Sequence, residues 1–231
     1  MQKVRTGGAQ VKLRGKNTTS LSSRITEILQ ERIADQKLHA GVRLHEQSLA
    51  EEFDTSRTVI REVLTALTQQ GLVDRVPNRG AFVKGLSEKE ILDIFDIREW
   101  LEAFLTFKAA ENAPDGHWQR FIDQFGAPMR DSIASENIEP YNNLLEELRV
   151  ETAVVAENEI ANSFLYQVLD RARVIQKRIT LLPGRAEKGR EMHLSMLKCM
   201  AARDSEGAQQ HKREIVTSAR ILFIKYKALI L

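Results

Sequence analysis

The sequence predicts a mainly α-helical protein in two parts: an N-terminal domain of three helices and a β-hairpin, then an all-α helical bundle. Three observations predict it. Residues 44–72, LHEQSLAEEFDTSRTVIREVLTALTQQGL, place apolar side chains at helical spacing in two short runs. The next stretch, LVDRVPNRGAFV, holds two β-prone runs, 72–76 and 81–83, around the turn Pro77-Asn78-Arg79-Gly80. From Leu86 onward strand signals vanish and helical periodicity continues to the end.

Residues 1–18 carry five basic side chains, no acidic ones and no apolar periodicity, so a flexible basic arm is expected there. A helix is expected from about residue 20 to 36, with Leu21, Ile25, Ile28, Leu29 and Ile33 as its buried stripe. His39-Ala40-Gly41 then turns the chain into the 44–72 stretch. There the first short helix buries Leu49, Ala50 and Phe53, and the second buries Val59, Ile60, Val63, Leu64 and Leu67. Thr55 or Ser56 can cap the second helix, and Gly71 sits just past its end. The hairpin closes a first domain over residues 19–84.

The bundle occupies residues 86–231. Its expected helices are 88–112, 116–135, 141–159, 163–181, 185–202 and 205–228, joined by short connections. Ser87 and Glu90 have capping-box spacing at the start of the first. Trp100 and Trp118, with Phe104, Phe107, Phe121 and Phe125, sit at helical spacing and are expected in the core.

At 231 residues with 42% hydrophobic content, the chain can bury two cores. Its one cysteine, Cys199, rules out a disulfide within the chain and fits a reducing cytoplasm. No apolar run approaches a membrane span and no secretory signal opens the chain, so a cytoplasmic protein without a membrane partner is expected. Residues 1–84 hold 14 Lys+Arg against 9 Asp+Glu, and the remainder 20 against 23. A basic first third joined to a mildly acidic remainder fits a nucleic-acid module attached to something else.

The chemistry of that module lies off the apolar stripe of the second short helix, at Ser56, Arg57, Thr58 and Arg61. Arg57 and Arg61 are four residues apart and share a face. Arg can donate two hydrogen bonds to guanine in the major groove, while Ser56, Thr58 and the helix N-terminus can hold phosphates. On this stretch alone a solvated charged face on a core helix is an equal reading. A hairpin wing directly after the helix pair favours DNA. Its tip offers Asn78, Arg79 and Gly80, where Gly permits close backbone approach and Arg suits the narrow minor groove.

These residues also carry a family pattern. Leu44, Glu46, Leu49-Ala50, Ser56-Arg57, Ile60-Arg61-Glu62, Leu64, Leu67, Gly71-Leu72-Val73, Asn78-Arg79-Gly80 and Val83 fall in one ordered series. In that series the chain resembles the GntR-type winged helix-turn-helix transcription regulators. Val59 stands where most members have Pro. His45 stands where Ser or Thr usually caps the first short helix, at a cost of about 1 kcal/mol. In the bundle, Arg98 and Glu102 fit an R-x-x-x-E pattern, Ala161-Asn162 with Leu165 fits part of A-x-x-N-x-x-L, and Glu191-Met192-His193 precedes Asp204 and Ala208 at matching spacing. This half resembles the FCD ligand-binding domain of FadR-type members. The resemblance implies a homodimer that binds a palindromic double-stranded DNA operator. It also implies a small-molecule effector, often a metabolite acid, bound in the helical domain and changing DNA affinity.

Many FCD domains hold a divalent metal with an Asp, a His four residues later, and two further His. Aligned through Asn162 and Asp204, those positions fall on Arg149, Ala153, His193 and Ile215. One His and one Arg do not make a metal site, so no family-type metal is expected. His193 and His211 with a carboxylate such as Glu151 form the altered set that spacing still allows. Arg149 has two readings: a guanidinium that binds the effector's carboxylate directly, or a helix-surface residue paired with Glu146, Glu147 or Glu151. His193 is an effector contact or a satisfied core histidine, and Arg98 is expected to face the effector.

A ligand-responsive transcription regulator, a repressor, is therefore the leading reading. A winged-helix protein-interaction module fits less well because it needs no cationic reading face. A bundle enzyme would need a nucleophile set, a phosphate-cradling loop or a complete metal set, and the sequence offers none of these.

Overall fold

The computed structural model describes residues 20–35 and 37–230, so the basic arm expected at 1–18 lies outside the described residues. These residues fall into two compact units, one ending at Leu86 and one beginning at Ser87.

The first unit runs α1 (Leu21–Ala34), β1 (Arg43–Leu44), α2 (Glu46–Glu52), α3 (Arg57–Gln69), β2 (Val73–Val76) and β3 (Gly80–Val83). Ser20 caps α1 by accepting from the Ser23 amide. Ile25, Leu29 and Ile33 pack against Ile60, Val63, Leu64 and Leu67 of α3, with Leu49, Ala50 and Phe53 closing the same core. Ser56, the nearer of the two candidate caps, accepts from the Val59 amide and starts α3. His45 makes no side-chain cap bond to α2, as its departure from Ser or Thr predicts. Gly71 ends α3 at φ 72°. The antiparallel sheet has order β1-β3-β2. Sequence reading missed β1, because two residues carry no alternation; Arg43 and Leu44 become a strand only by pairing with Phe82 and Ala81.

The second unit is helical throughout: α4 (Glu88–Asn112), α5 (Gln119–Phe125), α6 (Ala127–Ala134), α7 (Glu139–Val155), α8 (Glu159–Thr180), α9 (Arg185–Ala201) and α10 (Ser205–Ile230). The Ser87–Glu90 capping box is formed at the start of α4. α4 packs against α10, α8 and α7, and α9 against α10 and α5. Two expectations are corrected. The helix expected over 116–135 is two helices broken at Gly126, because Pro128 in the first turn of α6 has no N–H to continue the ladder from α5. Trp118, Phe121 and Phe125 are buried, but Trp100 and Phe104 lie on an exposed face of α4, at 65% and 39% exposure. Apolar residues surround α4 on all sides, so helical spacing alone does not tell its packed face from its outer one. Arg213 lies over the exposed Trp100 ring at 4.5 Å. Among the described residues no helix is long and apolar enough to cross a membrane.

Candidate nucleic-acid interface and effector site

Arg57 and Arg61 project from the first two turns of α3 and are exposed, as their spacing predicts. Their face is not bare. Glu46, at the first position of α2, accepts from Arg61 Nε at 2.9 Å and from Arg57 Nη2 at 3.3 Å on one oxygen, Oε2. Burial is the largest single influence and works against this carboxylate's charge, but the bonds and charges of Arg61 and Arg57 together outweigh it and hold the group below the usual carboxylate range. One acid thus gathers both guanidinium groups from the neighbouring helix. Sequence reading placed Glu46 in the motif but not in this role, because its partners lie 11 and 15 residues away.

Arg75 of β2 adds a third cation. Its Nη2 donates to the Arg61 carbonyl and to Thr65 Oγ1, both at 3.1 Å, which ties the wing to α3. Thr58 is exposed beside Arg57. Ser56 Oγ is committed as the helix cap, but its hydroxyl proton can still donate to a phosphate.

At the wing, Asn78 (φ 60°) and Gly80 (φ 98°) both take left-handed backbone conformations, and the Arg79 amide donates to the Val76 carbonyl at 3.0 Å. Asn tolerates that region and Gly favours it, which is why this hairpin tip is Asn-Arg-Gly. A Cβ at Gly80 would meet the Arg43 guanidinium 3.4 Å away. Arg79 is exposed and lies over Phe82 at 6.0 Å. An open groove of about 530 Å³ runs between this wing and the start of α2 and α3, lined by Arg43, His45, Glu46, Arg57, Arg75 and Asn78 among others.

In the helical unit, Arg98 and Glu102 are buried on one face of α4 and paired, Nε to Oε1 at 2.7 Å. The other Glu102 oxygen faces Lys212 Nζ of α10 at 3.5 Å. The Gln176 side-chain oxygen of α8 accepts from Arg98 Nη2 at 2.6 Å. Burial alone would raise the Glu102 carboxyl, but Arg98 and Lys212 bring it down to about 2. Arg149 makes the ion pair of its second reading. It pairs with Glu146 and lies over Tyr166 at 5.6 Å, yet its side chain is only 15% exposed and it acts electrostatically on Glu102 and Lys212. Sequence reading missed Lys212 and Arg185. Arg185 opens α9, where its Nη1 donates to Ser218 at 2.9 Å.

His193 is buried, stacked on Phe125 with centroids 5.6 Å apart, and its Nδ1 meets the Gly189 carbonyl at 2.8 Å. Gly189 has no room for a side chain, since a Cβ there would collide with the Tyr141 hydroxyl. Burial, then the Lys212 charge, pushes the His193 imidazole down to about 3, against some support from Gly189 and Glu102. Its folded pKa lies below the unfolded value of about 6.5, so its contribution to stability is full above that pH and is lost as pH falls toward 3. The Glu102 window begins lower, near 4.5. Between pH 6 and 4.5 the unfolding free energy should therefore fall by up to about 1.4 kcal/mol per pH unit on account of His193. Urea titrations across that range should show a shallower slope in His193→Gln.

The donors do not fit the metal of the resemblance. Among the described residues no three His, Cys, Asp or Glu side chains are gathered to hold an ion. The altered set also fails: Glu151 is taken by His117 Nε2 at 2.8 Å, and His211 Nδ1 faces Glu214 at 3.4 Å. His193 meanwhile stands among cations that would repel a metal.

The model described as "Bacterial regulatory proteins, gntR family" matches residues 21–83, and the FCD domain model matches residues 93–218. The gluconate operon transcriptional repressor of Bacillus subtilis (strain 168) is 37% identical over 86 residues, 37% of this chain and 35% of that repressor, so the match spans about a third of its length. The HTH-type transcriptional repressor RspR of Escherichia coli (strain K12) is 21% identical over 211 residues, 88% of this chain and 90% of RspR. The solved structure of E. coli McbR/YncC shares the fold at TM-score 0.75 and 21% identity, covering 90% of this chain and 100% of that one. The two matched segments account for most of the chain, in the order and with the folds described above: this protein belongs to the GntR family of transcription regulators and carries an FCD domain.

Proposed function

We propose that the chain is a transcriptional repressor that binds a palindromic operator as a homodimer and answers to a small organic acid in its helical domain. The observation that carries this reading is the Arg57–Arg61 pair on α3, exposed on its outer face and gathered by Glu46 beside a wing whose tip is Asn78-Arg79-Gly80. In each protomer α3 lies in the major groove. Arg57 and Arg61 read base edges, Ser56 and Thr58 hold phosphates, and Arg79 and Gly80 serve the adjacent minor groove. Two-fold symmetry of the protein sets the symmetry of the site, with half-sites about one helical turn apart or a multiple of it. The effector sits among Arg98, Arg149 and His193.

Selection of bound duplexes from a random pool, followed by footprinting, tests the reading. The expected result is one inverted repeat, protected over both halves by a protein dimer, with affinity falling steeply as salt rises. Duplex binding without sequence preference would overturn it in favour of a general nucleic-acid binder. Absence of binding at every salt concentration would favour a protein-interaction module.

A further inference from the structure

The wing leaves the first unit on a thin arm. Its base is well fixed: the Val83 amide donates to the Val42 carbonyl and the Lys84 amide to the Leu72 carbonyl, both at 2.9 Å, and Val73 and Val83 are buried in the core. β1 pairs with β3 only at Phe82 and Ala81, so beyond Ala81 the arm is two-stranded. A two-stranded hairpin by itself is marginally stable in water. The contacts of the tip are internal to it, from the Arg79 amide to the Val76 carbonyl and from the Arg79 guanidinium to the Phe82 ring. Val76, Pro77 and Asn78 line the open groove. Among the described residues, no hydrogen bond or ion pair ties 76–80 to α2 or α3.

Arg75 is the outermost tie. It stands opposite Ala81, where the third strand ends. Side chains alternate along a strand, so Arg75 shares the inward side of β2 with the buried Val73. Its Nη2 donates there to the Arg61 carbonyl and to Thr65 Oγ1, both at 3.1 Å. Thr65 Oγ1 in turn donates to the same Arg61 carbonyl at 2.7 Å. Arg61 is thus held twice, its guanidinium by Glu46 of α2 at 2.9 Å and its carbonyl by Arg75 of the wing.

We propose that Arg75 is a positioning residue that sets the span between Arg61 in the major groove and Arg79 in the minor groove, and that it acts on the operator through Arg79. The inference rests on the operator reading above and adds a residue that this reading leaves without a role. A bare arginine on this surface would be a phosphate contact. Arg75 instead has one nitrogen fixed on two acceptors of α3, and the strand that carries it is fixed as well. The grooves of a duplex stand at a set separation, so two readers gain most when their own separation is set beforehand. Removing the brace therefore weakens binding only while the wing tip has something to read.

The test is a double-variant cycle on the full-length protein, read by mobility shift on the selected operator at one salt concentration. Arg75→Met keeps the stem and deletes the donors, whereas Thr65→Val removes one acceptor and no charge. Arg75→Met should weaken operator binding about tenfold or more and Thr65→Val about threefold or more, since hydrogen bonds from a charged donor are the stronger ones. In an Arg79→Ala background each should cost less than about twofold, because the tip no longer has a contact to misplace. Hydrogen exchange on the free protein gives a readout without DNA: amides of 76–81 should exchange about fivefold faster in Arg75→Met, with those of 60–67 unchanged. Equal losses with and without Arg79 would make Arg75 a direct phosphate contact and overturn the proposal. So would full operator affinity in either variant, or unchanged exchange at the wing. Faster exchange throughout α3 would mark a residue that holds the fold and would overturn it too. A parent protein that selects no operator overturns the regulator reading and this inference with it; a parent that binds while the cycle is additive overturns this inference alone.

Discussion

Glu102→Gln is expected to lower the unfolding free energy by about 3–5 kcal/mol, the range for removing one partner of a buried ion pair. The substitution keeps the shape of the side chain and deletes its charge. Arg98 then loses its 2.7 Å carboxylate partner and Lys212 its 3.5 Å one, while Arg149 and Arg185 still repel them. Among the described residues no other buried carboxylate stands ready to take over. Urea denaturation at pH 7.5 measures the loss, and far-UV circular dichroism verifies that the helical fold persists. A loss below about 1 kcal/mol would mean that water screens the Arg98–Glu102–Lys212 set and that it does not hold the fold. A smaller loss is expected of Lys212→Met, because Glu102 keeps its 2.7 Å bond from Arg98 and loses only the 3.5 Å contact. The two variants together separate a cluster built to hold the fold from one that the fold tolerates for the sake of a ligand.

Features set by a few neighbouring residues were legible in the sequence. The Ser87–Glu90 box fixed the start of α4, Ser56 and Gly71 bracketed α3, and Asn78-Arg79-Gly80 gave the wing tip, because caps and tight turns are decided within a span of about four residues. Features that arise only when distant segments meet were not legible. β1 exists because Arg43 and Leu44 find β3 almost forty residues later. Glu46 looked like a motif residue until α2 folded against α3 and brought it to both arginines. Lys212 sits in His211-Lys212-Arg213, which reads as an ordinary solvated run, and Arg185 sits at a helix start just after Gly184. Each becomes part of a buried cluster only through packing of α10 and α9 around α4.

The double variant Arg57→Ala/Arg61→Ala should abolish sequence-selective operator binding, lowering affinity by roughly 10²–10⁴-fold, since each bidentate base contact is worth about 1–3 kcal/mol. Arg61→Ala alone should cost about 1–3 kcal/mol and relax preference at one base pair per half-site. Both side chains are more than half exposed and neither packs in the core of the first unit, so stability should change by no more than about 0.5 kcal/mol. Binding and folding are thereby separated, as they would not be for a substitution at Ile60 or Leu64. Glu46→Gln sharpens the test. If the carboxylate only neutralises the arginines, its removal frees two charges and tightens binding to every duplex alike. If it aims them, removal lets both guanidinium groups sample other rotamers, so non-specific affinity rises while the ratio of operator to random duplex falls. The 2.9 and 3.3 Å bonds to a single oxygen favour aiming, because two forks held on one point keep a fixed separation along α3. Competition mobility shifts at matched salt read that ratio directly, and an unchanged ratio in both Arg61→Ala and Glu46→Gln would remove this face of α3 from base recognition.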